Sequence, residues 1–185
     1  MVEYYLIAQL PSLDGVNEGA PLPITEERFL ELCGRFLGKK KQGEIGKLTL
    51  VPPLEPERSS SALVGAWNAG ERDLRLALGK ARAAKMNKSF DPRNEPLPPA
   101  LIEAANAAVE LENPMEAEDF LSRHRLRFLE TLRPADTFSR DYLYYYGIKL
   151  KLLLRIRRFD TERGKAAYRN IYSSILNGNG EEAAQ

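Results

Sequence analysis

Asp141-Tyr-Leu-Tyr-Tyr-Tyr-Gly-Ile-Lys149-Leu-Lys-Leu-Leu-Leu-Arg155-Ile-Arg-Arg-Phe159 runs without a proline, and its apolar residues recur at helical spacing. Tyr145, Ile148, Leu152, Ile156 and Phe159 make one stripe, and Leu143, Tyr146, Leu150 and Leu153 make another. Residues three and four apart share a helix face, so these stripes predict one helix with a wide apolar surface, buried on two sides. Lys151, Arg155 and Arg158 share the remaining stripe. The clustered tyrosines at 142 and 144–146 read as core and interface anchors.

Such a helix needs other helices to cover it, and the flanking sequence supplies them. Upstream, Asn113 and Pro114 read as the N-cap and first position of a helix that carries Phe120, Leu121, Phe128, Leu129 and Leu132 and stops at Pro134. A helix over 99–112 also opens on a proline. Before it, the polar and Pro-rich stretch 86–98 breaks the pattern. Ser59, Ser60 and Ser61 offer N-caps for a long helix to about Lys85, with Leu63, Trp67, Leu74, Leu78 and Ala81 as its core stripe. Its other face carries Glu71, Arg72, Asp73, Arg75 and Arg82, with Glu71 and Arg75 as an i,i+4 pair worth a few tenths of a kcal/mol. Gly70 and Gly79 each weaken this helix by about 1 kcal/mol relative to Ala, which a close packing partner would explain.

Nearer the N-terminus, Thr25 caps a helix with Glu26 and Glu27 in its first turn and Phe29, Leu30, Leu32, Cys33, Phe36 and Leu37 inside, ended by Gly38. Residues 2–10 read as a short helix or a strand and 11–24 as a loop. Residues 38–58 read as irregular, with a short extended piece at Leu48–Val51. Downstream, the helical block extends to about Leu176 with a break near Thr161–Gly164, and the tail 178–185 reads as disordered.

The expected fold is therefore all-α, with five to six helices in one or two packed helical lobes and long Pro/Gly-rich loops. The expected organisation is an N-terminal helical part over 1–85, a linker or loop over 86–98 and a C-terminal helical part over 99–177. One compact unit fits the same pattern.

Composition excludes much chemistry. The 185 residues include one His and one Cys, so an intramolecular disulfide and a Cys/His zinc site are ruled out. A Ser-His-Asp or Cys-His mechanism would have to use His124. That residue lies between Arg123 and Arg125, whose charges would lower its pKa, and it reads as a surface or packing residue. Cys33 reads as a buried inert thiol. Gly38-Lys-Lys-Lys-Gln-Gly43 has the outline of a phosphate loop, but Glu44 and Ile45 stand where Lys and Ser or Thr are needed. It reads as a solvated loop. Glu110, Glu112, Glu116, Glu118 and Asp119 lack the spacing of a calcium loop and read as a solvated face. No catalytic residue, metal site or cofactor is expected. No apolar run approaches the ~20 residues of a membrane span, and Glu3 and Pro11 interrupt any signal-peptide pattern. The expected location is cytoplasmic.

Charge is neutral in sum and sorted along the chain. Lys plus Arg is 27 against 26 Asp plus Glu. From 95 to 122 there are seven acids and no base, whereas 139–177 holds nine bases and three acids. Either these fields offset one another inside the fold or a basic surface meets an acidic partner. The candidate partner surface is Arg72, Arg75 and Arg82 with Lys151, Arg155 and Arg158.

Three stretches carry a resemblance. They are Glu3-Tyr-Tyr-Leu-Ile-Ala-Gln-Leu-Pro-Ser-Leu13, the segment Trp67-Asn-Ala-Gly-Glu-Arg-Asp-Leu-Arg75 continuing to Met86, and Asp141–Arg155 followed by Gly164-Lys-Ala-Ala-Tyr168. In these the chain resembles an uncharacterised bacterial family usually encoded beside V/A-type ATPase subunits. That family is similar in pattern to the funnel-shaped helical component that seats the V-type ATPase shaft on its membrane ring. The resemblance implies an all-helical, non-catalytic protein that links the central rotor shaft to the membrane proteolipid ring and so supports ion transport. Its implied partners are the rotor and proteolipid subunits, with membrane contact only through the complex. The chain is much shorter than the three-lobed funnel, so one or two lobes fit. The rival readings are a helical nucleic-acid-binding module using the basic 139–169 block and a small carboxylate-and-metal enzyme.

Overall fold

The computed structural model describes residues 2–16, 21–54, 61–90 and 96–158, together with 169 and 172. Among them lie seven helices and no strand: α1 (Val2–Ile7), α2 (Glu26–Phe36), α3 (Lys39–Gly46), α4 (Ala62–Lys85), α5 (Pro99–Glu110), α6 (Pro114–Thr131) and α7 (Arg140–Arg158). The fold is all-α. The expected break near residue 161 and the tail 178–185 fall outside the described residues.

The helix starts follow their caps. Thr25 Oγ1 accepts from the Arg28 amide, Ser61 Oγ from Val64 and Asn113 Oδ1 from Met115. Pro99 and Pro114 occupy first-turn positions where no N–H is needed.

One expectation is narrowed by α1 and another corrected by α3. Of the two forms open to residues 2–10, the chain takes the short helix α1. Residues 39–46, expected to be a solvated irregular loop, form α3. Its two glycines argue against a helix by propensity, but tertiary contacts override that weak preference. Ile45 and the following Leu48 are buried in the core, Tyr144 Oη donates to Glu44 at 2.6 Å, and Lys41 bonds to Glu3 of α1. The stretch Leu48–Val51 forms no strand; Leu48 anchors it as irregular chain.

Two apolar clusters hold the helices together. The larger joins Leu6 of α1, Phe29 and Leu32 of α2, Ile45 of α3, Leu63 and Trp67 of α4, Leu129 of α6, and the length of α7 from Leu143 to Leu152. As the two stripes require, α7 is buried on more than one side. The smaller cluster joins Leu74, Ala77 and Leu78 of α4, Ala105 and Ala108 of α5, and Leu121 of α6. Both α4 and α6 contribute to both clusters, so they join the larger core to the smaller one.

Gly70 and Gly79 of α4 have the close partners their cost implied. A Cβ at Gly70 would stand 2.4 Å from the Phe128 ring, and one at Gly79 would stand 2.7 Å from the Phe90 ring.

Candidate functional site

The six cations singled out from the sequence fall into different surroundings. On α7, Lys151 bonds to Glu26 of α2, and Arg155 donates to Glu118 of α6 at 2.9 Å. Arg158 is exposed at the end of the helix. Lys149 belongs to the same basic block but is buried. Its Nζ reaches Asp14 at 2.5 Å, Glu130 at 2.7 Å and Tyr145 Oη at 3.2 Å. Burial alone would lower the Lys149 pKa, yet the two carboxylates outweigh it and raise the pKa. The Lys149 hydrogen bond holds Asp14 below its ordinary range, and at Glu130 it overcomes the opposing effect of burial.

Arg72, Arg75 and Arg82 occupy one stripe of α4, three and seven residues apart. Arg75 and Arg82 are exposed, and Arg72 is half-buried. Arg72, Arg82 and Arg158 make no ion pair among the described residues. Gly79, on the same stripe, carries the half-exposed Phe90 ring between Arg75 and Arg82. Arg82 and Lys85 also line a cleft of about 410 Å³ between α4, α5 and α6, whose apolar walls include Leu78, Met86, Val109 and Leu121. The Lys85 ammonium donates to the Val109 carbonyl at 2.5 Å.

One part of the polar face of α4 is corrected. Glu71, expected on the outer face, is 2% exposed and accepts from Arg125 Nε of α6 at 2.7 Å. The expected pair with Arg75 is kept as an ion pair, with Arg75 Nε 3.7 Å from Glu71 Oε2. Arg125 is itself 5% exposed. The pair is incompletely satisfied: Glu71 Oε2 and Arg125 Nη1 have no hydrogen-bond partner among the described residues. Both residues line a second cavity of about 410 Å³ between α4, the start of α5 and α6, with Leu74, Leu101 and Phe128 on its walls. Sequence reasoning missed Arg125 and misplaced Glu71. The signal was present, since Glu71 continues the stripe Leu63, Trp67, Leu74 and Leu78, and Arg125 stands between Leu121 and Phe128 on another.

His124 lines the same cavity, half-buried. Burial lowers its pKa first, then the charges of Arg125 and Arg127; of the two expected flanking cations, Arg125 acts and Arg127 takes the place of Arg123. Cys33 is buried in the larger core, and desolvation pushes its thiol up to about 12, so it stays protonated and unreactive. Glu110, Glu112 and Glu116 face solvent, while Glu118 pairs with Arg155. Among the described residues no three His, Cys, Asp or Glu side chains gather as a metal site would need, and no helix is long and apolar enough to cross a membrane. The chain matches no protein family, no curated protein and no solved structure with which it was compared.

Proposed function

We propose that this protein works as a non-catalytic helical binding component, and that its partner belongs to a V/A-type ATPase, between the rotor shaft and the proteolipid ring. The observation that supports a binding role is the cationic stripe of α4 beside an apolar cleft. Arg82 stands at that cleft without an ion-pair partner among the described residues, next to Leu78, Met86 and Val109. Arginine and aromatic side chains over an apolar pocket are the usual anchors of a protein interface. A partner segment that carries an acid beside a bulky apolar residue would place the acid on Arg82 and the apolar group in the cleft. The identity of the partner rests on the resemblance of the three sequence stretches.

On α7 the hydrogen bonds bear on the nucleic-acid reading. Lys149, Lys151 and Arg155 each bond to a carboxylate of the same chain, which leaves less of the 139–169 block to neutralise phosphates. On this reading the partner surface lies on α4.

Co-purification of the intact chain with V-type ATPase rotor and proteolipid subunits tests the proposal. The expected result is a complex that weakens at least tenfold on Arg82→Glu and less on Arg158→Glu. Failure to bind any of those subunits, combined with salt-sensitive binding of single-stranded nucleic acid, would replace the proposal with its rival.

A further inference from the structure

The cleft at Arg82, between α4, α5 and α6, has the size and the chemistry of a small-molecule site. Its lining includes the buried Leu78, Ala108 and Leu121, with Val109 beside them and the exposed Met86 at the rim. At about 410 Å³ it falls in the range of about 300–1,000 Å³ typical of such sites, which set a few polar groups against apolar walls.

The polar groups here are two cations on one turn of α4. Arg82 and Lys85 are three residues apart, so they are neighbours on the helix surface. Arg82 is exposed and makes no ion pair among the described residues. The Lys85 ammonium donates to the Val109 carbonyl at 2.5 Å, which holds it at the cleft and leaves two of its three donors over. Glu118 is the acid on the lining, and its carboxylate already accepts from Arg155 of α7 at 2.9 Å. Glu110, Glu112 and Glu116 are near in sequence, but they face solvent and do not line the cleft. The lining thus sets two cations against one acid that is already paired.

We propose that this cleft binds a small amphipathic monocarboxylate. Its carboxylate sits between Arg82 and Lys85, and its apolar body lies against Leu78, Val109 and Leu121. An ammonium head would meet two cations and no unpaired acid on the lining. A neutral head would forgo charge-assisted hydrogen bonds, which are roughly twice as strong as neutral ones. A head of higher negative charge would be repelled by Glu118. The inference uses the same cleft as the docking proposal, but it does not depend on the identity of any protein partner.

Octanoate, octylamine and octanol share one body and differ in the head, so they serve as probes. Each is titrated into the intact chain and followed by calorimetry and by amide NMR shifts. The expected result is saturable octanoate binding, with shifts centred on Leu78, Val109 and Leu121, at least tenfold tighter than octanol or octylamine. Arg82→Gln should weaken octanoate at least tenfold and leave octanol unchanged, whereas Arg158→Gln at the exposed end of α7 should change neither. Added salt gives a second reading on the unaltered chain, since screening should weaken octanoate and spare octanol. The proposal is overturned if octanoate leaves those three residues unshifted, if octanol or octylamine binds as tightly, or if octanoate affinity survives Arg82→Gln. Co-purification with the ATPase subunits in the absence of octanoate binding would remove the small ligand and leave the docking proposal standing. Octanoate binding without co-purification would support the small ligand and remove the docking proposal.

Discussion

Two buried cations in this protein meet carboxylates in different ways. Lys149 of α7 has its three donors on Asp14, Glu130 and Tyr145, and its two carboxylates keep about half of their own surface in water. Arg125 of α6 meets a carboxylate as buried as itself, and one atom on each side lacks a hydrogen-bond partner among the described residues, with Arg75 Nε 3.7 Å from the Glu71 one. The first arrangement is a closed clamp that ties the 11–16 loop and the end of α6 to α7. The second is a charge pair held at the wall of a cavity. Burial with complete hydrogen bonding fits a structural role, whereas burial with unsatisfied atoms costs stability.

The sharpest way to break the comparison is to remove one cation from each site. Arg125→Met takes the hydrogen-bonded partner from the buried Glu71 carboxylate and leaves it only Arg75, 3.7 Å from Oε2. The loss of stability should be about 3–5 kcal/mol, the range for breaking a buried pair. Replacing both partners, as in Glu71→Leu with Arg125→Met, should recover most of it, because an apolar pair of similar volume leaves no uncompensated charge. Urea unfolding of the three proteins measures both quantities. Equal losses in the single and double variants would show that packing matters more here than charge.

Lys149→Met should cost less, about 1–2 kcal/mol, because Asp14 and Glu130 turn to solvent when their partner goes. The pH dependence separates the two sites further. Asp14 and Glu130 have folded pKa values below their ordinary 3.8 and 4.5, so their contribution is complete above those values. It is lost as pH falls through the lowered ones, since the unfolded chain then binds more protons. Lys149 has the opposite sign: its raised pKa gives a contribution that is complete below 10.5 and lost as pH rises through the folded value. Lys149→Met should therefore flatten both the acid limb below about pH 4.5 and the alkaline limb above 10.5 in a thermal unfolding series. A variant whose stability curve keeps the wild-type acid limb would remove Lys149 from the clamp.

The fold was readable where local signals agreed with packing. Thr25, Ser61, Asn113, Pro99 and Pro114 mark helix starts that the structure keeps, and the stripes of α7 announced its burial. Where local and tertiary signals disagreed, the reading failed. In α3 the glycines and lysines point to a loop, and only the contacts of Ile45, Glu44 and Lys41 with distant residues make a helix. Glu71, Arg125 and Lys149 failed for another reason. Each sits in register with an apolar stripe, but a charged residue in a stripe is assigned to the surface unless its partner is known. Those partners are 54 residues away for the first two, and as far as 135 away for Lys149. Charge type alone was thus a poorer guide than position in the stripe.

Gly70→Ala sharpens the comparison at the cavity wall. A methyl there would lie 2.4 Å from Phe128 Cε1 and Cζ, so the ring must move off Gly70. Overpacking costs about 1–3 kcal/mol and the helix gains about 1 kcal/mol from losing a glycine. The net loss should be about 1 kcal/mol, with a changed Trp67 emission because Trp67 and Phe128 lie stacked. A more stable protein with unaltered emission would show that Phe128 gives way freely and that the wall is not braced.

The smallest effect belongs to His124. It lines the cavity beside Arg125, and its pKa lies below the ordinary 6.5 because of burial and then of Arg125 and Arg127, with Glu71 opposing. A histidine whose folded pKa is depressed is protonated more readily in the unfolded chain. Stability therefore falls as pH drops from about 6.5 through the folded value and levels off below it. The carboxylates of the Lys149 clamp remain ionised over that range, so they add no slope there. His124→Asn should remove the slope and leave the acid limb below about pH 4.5 as in wild type. Arg127→Gln should reduce it, because one of the two neighbouring charges is gone while burial remains. A slope that survives in His124→Asn would come from another group, since the chain has no other histidine, and would remove His124 as the source of the pH dependence.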